Sequence, residues 1–267
     1  MSTQTSATRK LVQRLKRRIT PLYYEIVYAL VTPQRVNTMN FGYAPLSEAL
    51  RPHYPSADQG LQYELYYQTF RQLDAPLTRE QCLCEVSSGR GGGLAFLRNL
   101  TEARVIGLER SPAARRYAAK RFGLDTRAAT APELPLDDAS VDAFISIEAA
   151  HNYHSDAFVA EIARCLKPGG RLLLADMNLG ADAHVQQKLE ALYARNGLEL
   201  EQWRDIRPQV LAALHADHAR KQEFMRFLFG PLRAEAEAYM GTVGSHKYHE
   251  MQNDRRAYFI LRARKPG

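Results

Sequence analysis

This chain predicts an α/β fold built on a doubly wound, mostly parallel sheet, and three observations carry that expectation. Between residues 81 and 206 short apolar runs alternate with segments of helical periodicity, the pattern of parallel strands joined by crossover helices. The first apolar run leads directly into Ser87-Ser-Gly-Arg-Gly-Gly-Gly93. A strand that meets a glycine-rich turn and then a helix lets backbone approach a nucleotide-type ligand closely. After a polar helical stretch, Tyr258–Arg264 reads as one further strand.

In chain order, residues 1–80 are helical in pattern and rich in tyrosine, with a Pro/Gly-punctuated loop over 40–60, and form a lid region. The core runs from 81 to 267. Its strands are expected at Gln81–Ser87, Arg104–Glu109, Asp125–Ala129, Val141–Ile147, Arg171–Met177 and Leu198–Arg204, before the one at 258–264. Helices fit between them at Gly93–Asn99, Ala113–Arg121, Asp156–Cys165 and Ala183–Asn196, and Pro168-Gly-Gly170 is read as the turn that opens the fifth strand. A helical cap is inserted at about 207–250. Ligands in such sheets bind outside the carboxyl ends of the strands.

Composition excludes several classes. Hydrophobic residues are 45% and charged residues 24% of 267, an ordinary globular balance and not that of a fibre or a disordered chain. Three cysteines cannot staple a chain of this size, and Cys82 and Cys84 alternate along a strand onto one buried face. Free core thiols suit a reducing compartment, so a cytoplasmic location is expected. The longest apolar run, Leu22–Val31, contains Glu25 and is about half the length of a membrane span. No secretory signal is read at the N-terminus. The net charge of +7 is almost all one tract: residues 1–20 hold six bases and no acid. Leu11, Leu15 and Ile19 recur there at helical spacing, so the tract offers a peripheral contact to an anionic membrane surface. No nucleic-acid partner is expected.

The second strand ends at Glu109, 20 residues after Gly89, where a carboxylate can bond a ribose diol. Two further segments, Ala129-Thr-Ala-Pro-Glu-Leu-Pro-Leu-Asp-Asp-Ala-Ser-Val-Asp-Ala-Phe-Ile-Ser146 and Leu166-Lys-Pro-Gly-Gly-Arg-Leu-Leu-Leu-Ala-Asp176, come next in order. Together these motifs resemble those of class I S-adenosylmethionine-dependent methyltransferases over residues 81–177. Adding Asn40-Phe-Gly-Tyr43, Ile147-Glu-Ala-Ala-His-Asn-Tyr153 and Asn253-Asp-Arg-Arg-Ala-Tyr258, the chain is similar to phthiotriol/phenolphthiotriol dimycocerosate methyltransferases and to natural-product O-methyltransferases that act on polyketides or sugars.

The resemblance implies a Rossmann-like, seven-stranded sheet with an antiparallel last strand, and S-adenosyl-L-methionine as cofactor. It implies that Glu85 orients the cofactor ammonium through the loop and that Ser87, Gly89 and Gly91 line the methionine part. Ser87 replaces the family's usual glycine, so the loop is expected to turn there without a positive φ. Glu109 would take the ribose hydroxyls and Arg110 would flank the adenine. Thr130 and Ala131 stand where the family has an Asp or Asn that reads the adenine amine. Ile147 and Glu148 would border the amino-acid end, and Tyr43 would close over it from the lid.

Methyl transfer to a hydroxyl needs a base, and histidine suits it near neutral pH. His151 lies just beyond the fourth strand, and Asp176 ends the fifth on the same rim. His151 is the expected base, as at the similar position in the related enzymes, with Asp176 as its orienting partner. His154, His246 and Tyr248 are candidate substrate contacts, while His215 and His218 read as solvated. Tyr23, Tyr24, Tyr28, Tyr63, Tyr66 and Tyr67, with Phe224, Phe227, Leu228 and Phe229, supply an aromatic lining for a bulky, partly apolar small-molecule acceptor. The same aromatic N-terminal helices offer a face for a homodimer. No metal is expected, because no third ligand joins Asp176 and Asn178.

O-methylation of a polyketide, lipid-like or other secondary-metabolite hydroxyl is the leading expectation. C-methylation, and a cofactor-binding fold that catalyses another step such as cyclisation, are the alternatives. An NAD-dependent oxidoreductase would need a third glycine near Ala95. A base-amine methyltransferase would carry Asn/Asp-Pro-Pro-aromatic where Glu148-Ala-Ala-His151 stands.

Overall fold

The computed structural model describes residues 36–226, 233, 236–237 and 239–267. The basic N-terminal tract, Tyr23, Tyr24, Tyr28, the Phe224 side chain, Phe227, Leu228 and Phe229 lie outside the described residues.

Seven strands form one sheet: β1 (Cys82–Val86), β2 (Arg104–Glu109), β3 (Thr126–Ala128), β4 (Val141–Ile147), β5 (Leu166–Leu179), β6 (Glu199–Asp205) and β7 (Arg256–Arg264). Their order is β3-β2-β1-β4-β5-β7-β6. β1 to β5 pair in parallel, and β7 enters antiparallel to both β5 and β6. The expected mostly parallel sheet with an antiparallel last strand is what the structure shows.

Helices α1 (Gly60–Phe70), α2 (Gly92–Arg98), α3 (Pro112–Phe122), α4 (Asp156–Cys165), α5 (Asp182–Ala194), α6 (Arg207–Ala216), α7 (His218–Phe224) and α8 (His246–Gln252) cover the sheet. The last three fall between β6 and β7, where the sequence suggests a cap. α4 shows why these segments are helical. Ser155 caps it by accepting from the Phe158 N–H, and Phe158, Val159, Ile162 and Cys165 recur on one face, fully buried. Burying each of the larger three is worth about 1.5–3 kcal/mol. α3 begins with Ser111 as cap and Pro112 in its first turn, and ends at Gly123 with φ 61°.

The core divides across the sheet. One face packs α1, α2, α6 and α8, with Tyr63, Phe96, Leu214 and Tyr258 central. The other packs α4 and α5 and holds Cys82, Cys84 and Cys165 as free, buried thiols. Burial raises the pKa of all three, that of Cys165 to about 11, so they behave as small hydrophobes.

β5 departs from expectation. The turn expected at Pro168–Gly170 lies inside a strand that begins at Leu166, with an irregularity between the Val141 and Ala143 pairings. Gly169 N–H donates to Lys265 O and Lys265 N–H to Gly170 O, so the end of β7 satisfies the backbone that a free turn would leave to water. Among the described residues no helix is long and apolar enough to cross a membrane.

Candidate active site

The loop after β1 is shaped by three left-handed residues, Ser87 (φ 61°), Gly89 (φ 53°) and Gly91 (φ 80°), before α2 starts at Gly92. Ser87 corrects the expectation of an ordinary φ. A side chain is tolerated there because its Oγ lies 3.0 Å from the Tyr153 hydroxyl. The strain, about 1–3 kcal/mol, and the hydrogen bond, about 1 kcal/mol, oppose each other. Ser87→Gly should therefore change stability little, whereas Ser87→Ala keeps the strain, loses the bond and should cost about 1 kcal/mol. Urea midpoints of the two variants check the order.

Two acids flank the loop, Glu85 near the end of β1 and Glu109 at the end of β2, and Glu109 bonds it directly. The Tyr66 hydroxyl donates to Glu85 Oε1 at 2.7 Å. Burial pushes the Glu85 carboxyl up to about 8, against the Tyr66 bond. Glu109 accepts from Gly89 N–H at 2.9 Å and Ser111 N–H at 2.7 Å, and burial raises it against those two bonds. Asn37 crosses the start of α2, its carbonyl accepting from Gly92 N–H at 3.1 Å. Among the described residues Glu85 Oε2 and Ser88 Oγ are buried with no partner. An acceptor and a hydroxyl left unsatisfied at the base of a glycine loop fit a ligand that carries an ammonium and further polar groups. The residues present thus suit the cofactor implied for this fold.

The rim of β4 and β5 carries a His–Asp pair. Asp176, fully buried, accepts from His151 N–H at 2.7 Å and lies 2.7 Å from His151 Nδ1. A carboxylate only accepts, so Nδ1 carries the proton and Nε2 presents its lone pair. Asn152 Nδ2 lies 3.2 Å from Nε2, and the His151 side chain keeps 24% of its surface open. Burial lowers the His151 pKa, but the charge and hydrogen bond of Asp176 outweigh it and the net shift is upward.

Glu148 stands just past the end of β4 with φ 51°. Its Oε1 accepts from Phe41 N–H at 2.5 Å and from the Tyr258 hydroxyl, so one carboxylate ties the lid segment to the last strand. Burial pushes it up to about 7 against those bonds and the nearby Lys247 and Lys221 charges.

The other expected site residues fall in different places. Ile147 closes β4 in the core. Tyr43 is buried, with Arg204 5.7 Å from its ring, and Asn37 is the lid residue bonded to the glycine loop. Arg110 is exposed, its carbonyl accepting from Arg115. Thr130 is exposed and Ala131 half-buried in the turn after β3. The three candidate substrate contacts have partners within the protein. His154 packs on Phe158 and bonds Tyr193, and burial drops its pKa to about 4. His246 is 80% exposed beside Glu250. Tyr248 is buried and bonded to His215 and Gln252, so His215 is not merely solvated. His218 is half-buried, with Nδ1 enclosed. Phe41 and Tyr258 belong to the Asn-Phe-Gly-Tyr and Asn-Asp-Arg-Arg-Ala-Tyr motifs and Lys247 stands between His246 and Tyr248, but nothing in the sequence assigns these three a part in the site. Among the described residues no group of three His, Cys, Asp or Glu side chains is arranged to hold a metal ion.

This sheet, with a glycine-rich loop after β1 tied to the acid that ends β2, is that of a class I S-adenosylmethionine-dependent methyltransferase. A methyltransferase domain model matches residues 84–174. The geranyl diphosphate C-methyltransferase of Streptomyces coelicolor shares the fold, with a TM-score of 0.67 over 92% of this chain and 97% of that one at 15% identity. The chain is 31% identical over 200 residues to the phthiotriol/phenolphthiotriol dimycocerosates methyltransferase of Mycobacterium leprae, covering 73% of this chain and 72% of that protein. It is 30% identical over 185 residues to the fatty-acid O-methyltransferase of Mycolicibacterium smegmatis, covering 62% and 64%. The chain belongs to the family of the phthiotriol/phenolphthiotriol dimycocerosates methyltransferases, and S-adenosylmethionine is its cofactor.

Proposed function

We propose that this enzyme methylates a hydroxyl oxygen of a bulky, lipid-like small molecule, with His151 as general base and Asp176 as its orienting partner. The observation that carries this reading is the 2.7 Å contact between His151 Nδ1 and the buried Asp176 carboxylate, which leaves Nε2, with Asn152 Nδ2 3.2 Å away, as the basic nitrogen. The substrate class is supported by the names of the relatives, one directed to dimycocerosates and one to fatty acids.

When bound, S-adenosylmethionine supplies a methyl group on a sulfonium sulfur. At the acceptor hydroxyl, His151 Nε2 would take the proton as the oxygen is methylated. Asp176 then stabilises the imidazolium. Glu85, Ser87, Ser88, Gly89 and Gly91 would hold the methionine part and Glu109 the ribose, with Arg110, Thr130 and Ala131 around the adenine. The base must be unprotonated, and its pKa lies above the ordinary imidazole value. Turnover should therefore rise with pH through a limb above 6.5.

Incubation with S-adenosylmethionine and a panel of long-chain and phenolic alcohols, read by mass and NMR, tests the reaction. A new methyl on oxygen is expected, and a methyl on carbon would overturn the oxygen assignment in favour of C-methylation. Glu109→Ala should weaken S-adenosylhomocysteine binding about tenfold or more, since its bond to Gly89 N–H of the loop and its bond to Ser111 N–H both vanish. Calorimetry checks it, and unchanged affinity would remove Glu109 from the site.

A further inference from the structure

Behind the dyad lies a cluster of charged groups around the Phe41 ring. Phe41 is 2% exposed, and its N–H donates to Glu148. The ammonium groups of Lys221 and Lys247 stand 5.6 Å and 5.5 Å from its ring centre. Most cations of this region are committed. Lys221 Nζ donates to Met240 O and lies 3.8 Å from Asp217. Arg220 pairs with Asp217, and Arg256 pairs with Glu250. Among the described residues Lys247 has no hydrogen bond and no carboxylate within ion-pair distance.

Lysine side chains turn out to water when they have no partner. Its neighbour on α8, His246, is 80% exposed even with Glu250 beside it. Lys247 instead lies half-buried over Phe41. Burial lowers its pKa, while the charges of Glu148 and Asp176 work the other way, which sets the ammonium within electrostatic reach of both rim acids. It also lowers the pKa of His151, so it acts on the reacting edge itself. Glu148 and Asp176 are already hydrogen-bonded, which leaves the ammonium without an anion of its own.

We propose that Lys247 is the binding group for an anionic oxygen on the methyl acceptor, whether that oxygen is the oxyanion left as His151 takes a proton or a carboxylate that arrives charged. The proposal rests on the methyltransferase reading above and adds the charge that the site recognises. An unpaired, partly desolvated cation attracts such an oxygen more strongly than it would in water. With the oxyanion held, the attacking atom stays beside the base that generated it.

Decanoate and decanol serve as probes, titrated by calorimetry into the full chain saturated with S-adenosylhomocysteine. Decanoate should bind about tenfold tighter or more than decanol. Lys247→Met should erase that preference while affinities for decanol and S-adenosylhomocysteine stay unchanged, and Lys247→Arg should keep most of it. Decanoate bound no tighter than decanol, or a preference that survives in Lys247→Met, would overturn the proposal. With S-adenosylmethionine in place of the product, formation of methyl decanoate assigns the carboxylate as source. Decanoate that binds without methylation assigns the oxyanion, and either result supports the site. Failure of the base assignment shows up separately, as undiminished turnover in His151→Ala with the decanoate preference intact.

Discussion

His151→Ala is expected to cut turnover by about 10²-fold or more, the usual size of a general-base contribution, with S-adenosylhomocysteine affinity unchanged. The separation is geometric. His151 stands on the rim after β4 and touches Asp176 and Asn152, whereas the loop at Ser87–Gly91 is tied to Glu109 through Gly89 N–H, and the start of α2 to Asn37 through Gly92 N–H. Asp176 keeps two backbone donors in the variant, from residue 151 and from Met177, so the buried carboxylate is not orphaned and the fold should survive. The acid limb of the pH profile should vanish with the imidazole. Turnover within about threefold of the parent, with the acid limb still present, would show that another group takes the proton.

Gly93→Ala should be the most damaging single-methyl change near the loop. A Cβ at Gly93 would sit 1.9 Å from Tyr66 Cζ and 2.3 Å from its hydroxyl oxygen. Tyr66 cannot yield, because it is buried and tied to Glu85. Alanine is the better helix former by about 1 kcal/mol, but the overlap costs about 3 kcal/mol or more, since either α2 or the ring must move. Unfolding by urea should show that loss, and calorimetry should show weaker cofactor binding because the loop shifts with α2. Gly123→Ala is the control: no atom lies within 4 Å and only the φ of 61° is strained, so about 1 kcal/mol is expected. Adding Gly93→Ala to a Tyr66→Leu background should cost much less than in the parent, because the clash and the ring are one interaction. Equal cost in both backgrounds would refute the steric account.

Most of the sheet was legible because buried parallel strands read as continuous apolar runs. Arg104–Glu109, Val141–Ile147 and the helix Asp156–Cys165 occur at the expected residues. The fifth strand was read too short, since Pro-Gly-Gly signals a turn and only the pairing of Lys265 with Gly169 and Gly170 makes it strand. The nearness of His151 to Asp176 was legible for a topological reason: β4 and β5 are parallel neighbours, so the loop leaving β4 passes beside the carboxyl end of β5. Lys247 was not, because the side of a seven-residue helix that faces inward depends on packing rather than on local pattern. The left-handed φ at Ser87 was missed for a similar reason, its compensating partner Tyr153 being 66 residues away.

Because β7 lies between β5 and β6, β6 has no sheet neighbour until residues 256–264 are in place. On the ribosome, β5 therefore presents a bare edge through the synthesis of the whole α6–α8 segment, and β6 waits detached. Such an edge is open to wrong pairing with other chains. Glu148 likewise waits for residue 258 before its carboxylate, which already accepts from Phe41 N–H, can join the lid segment to β7. Crowded nascent chains would then be lost to aggregation before release, and slower synthesis or a chaperone that shields the β5 edge would raise the yield of active enzyme while leaving the rate per molecule untouched.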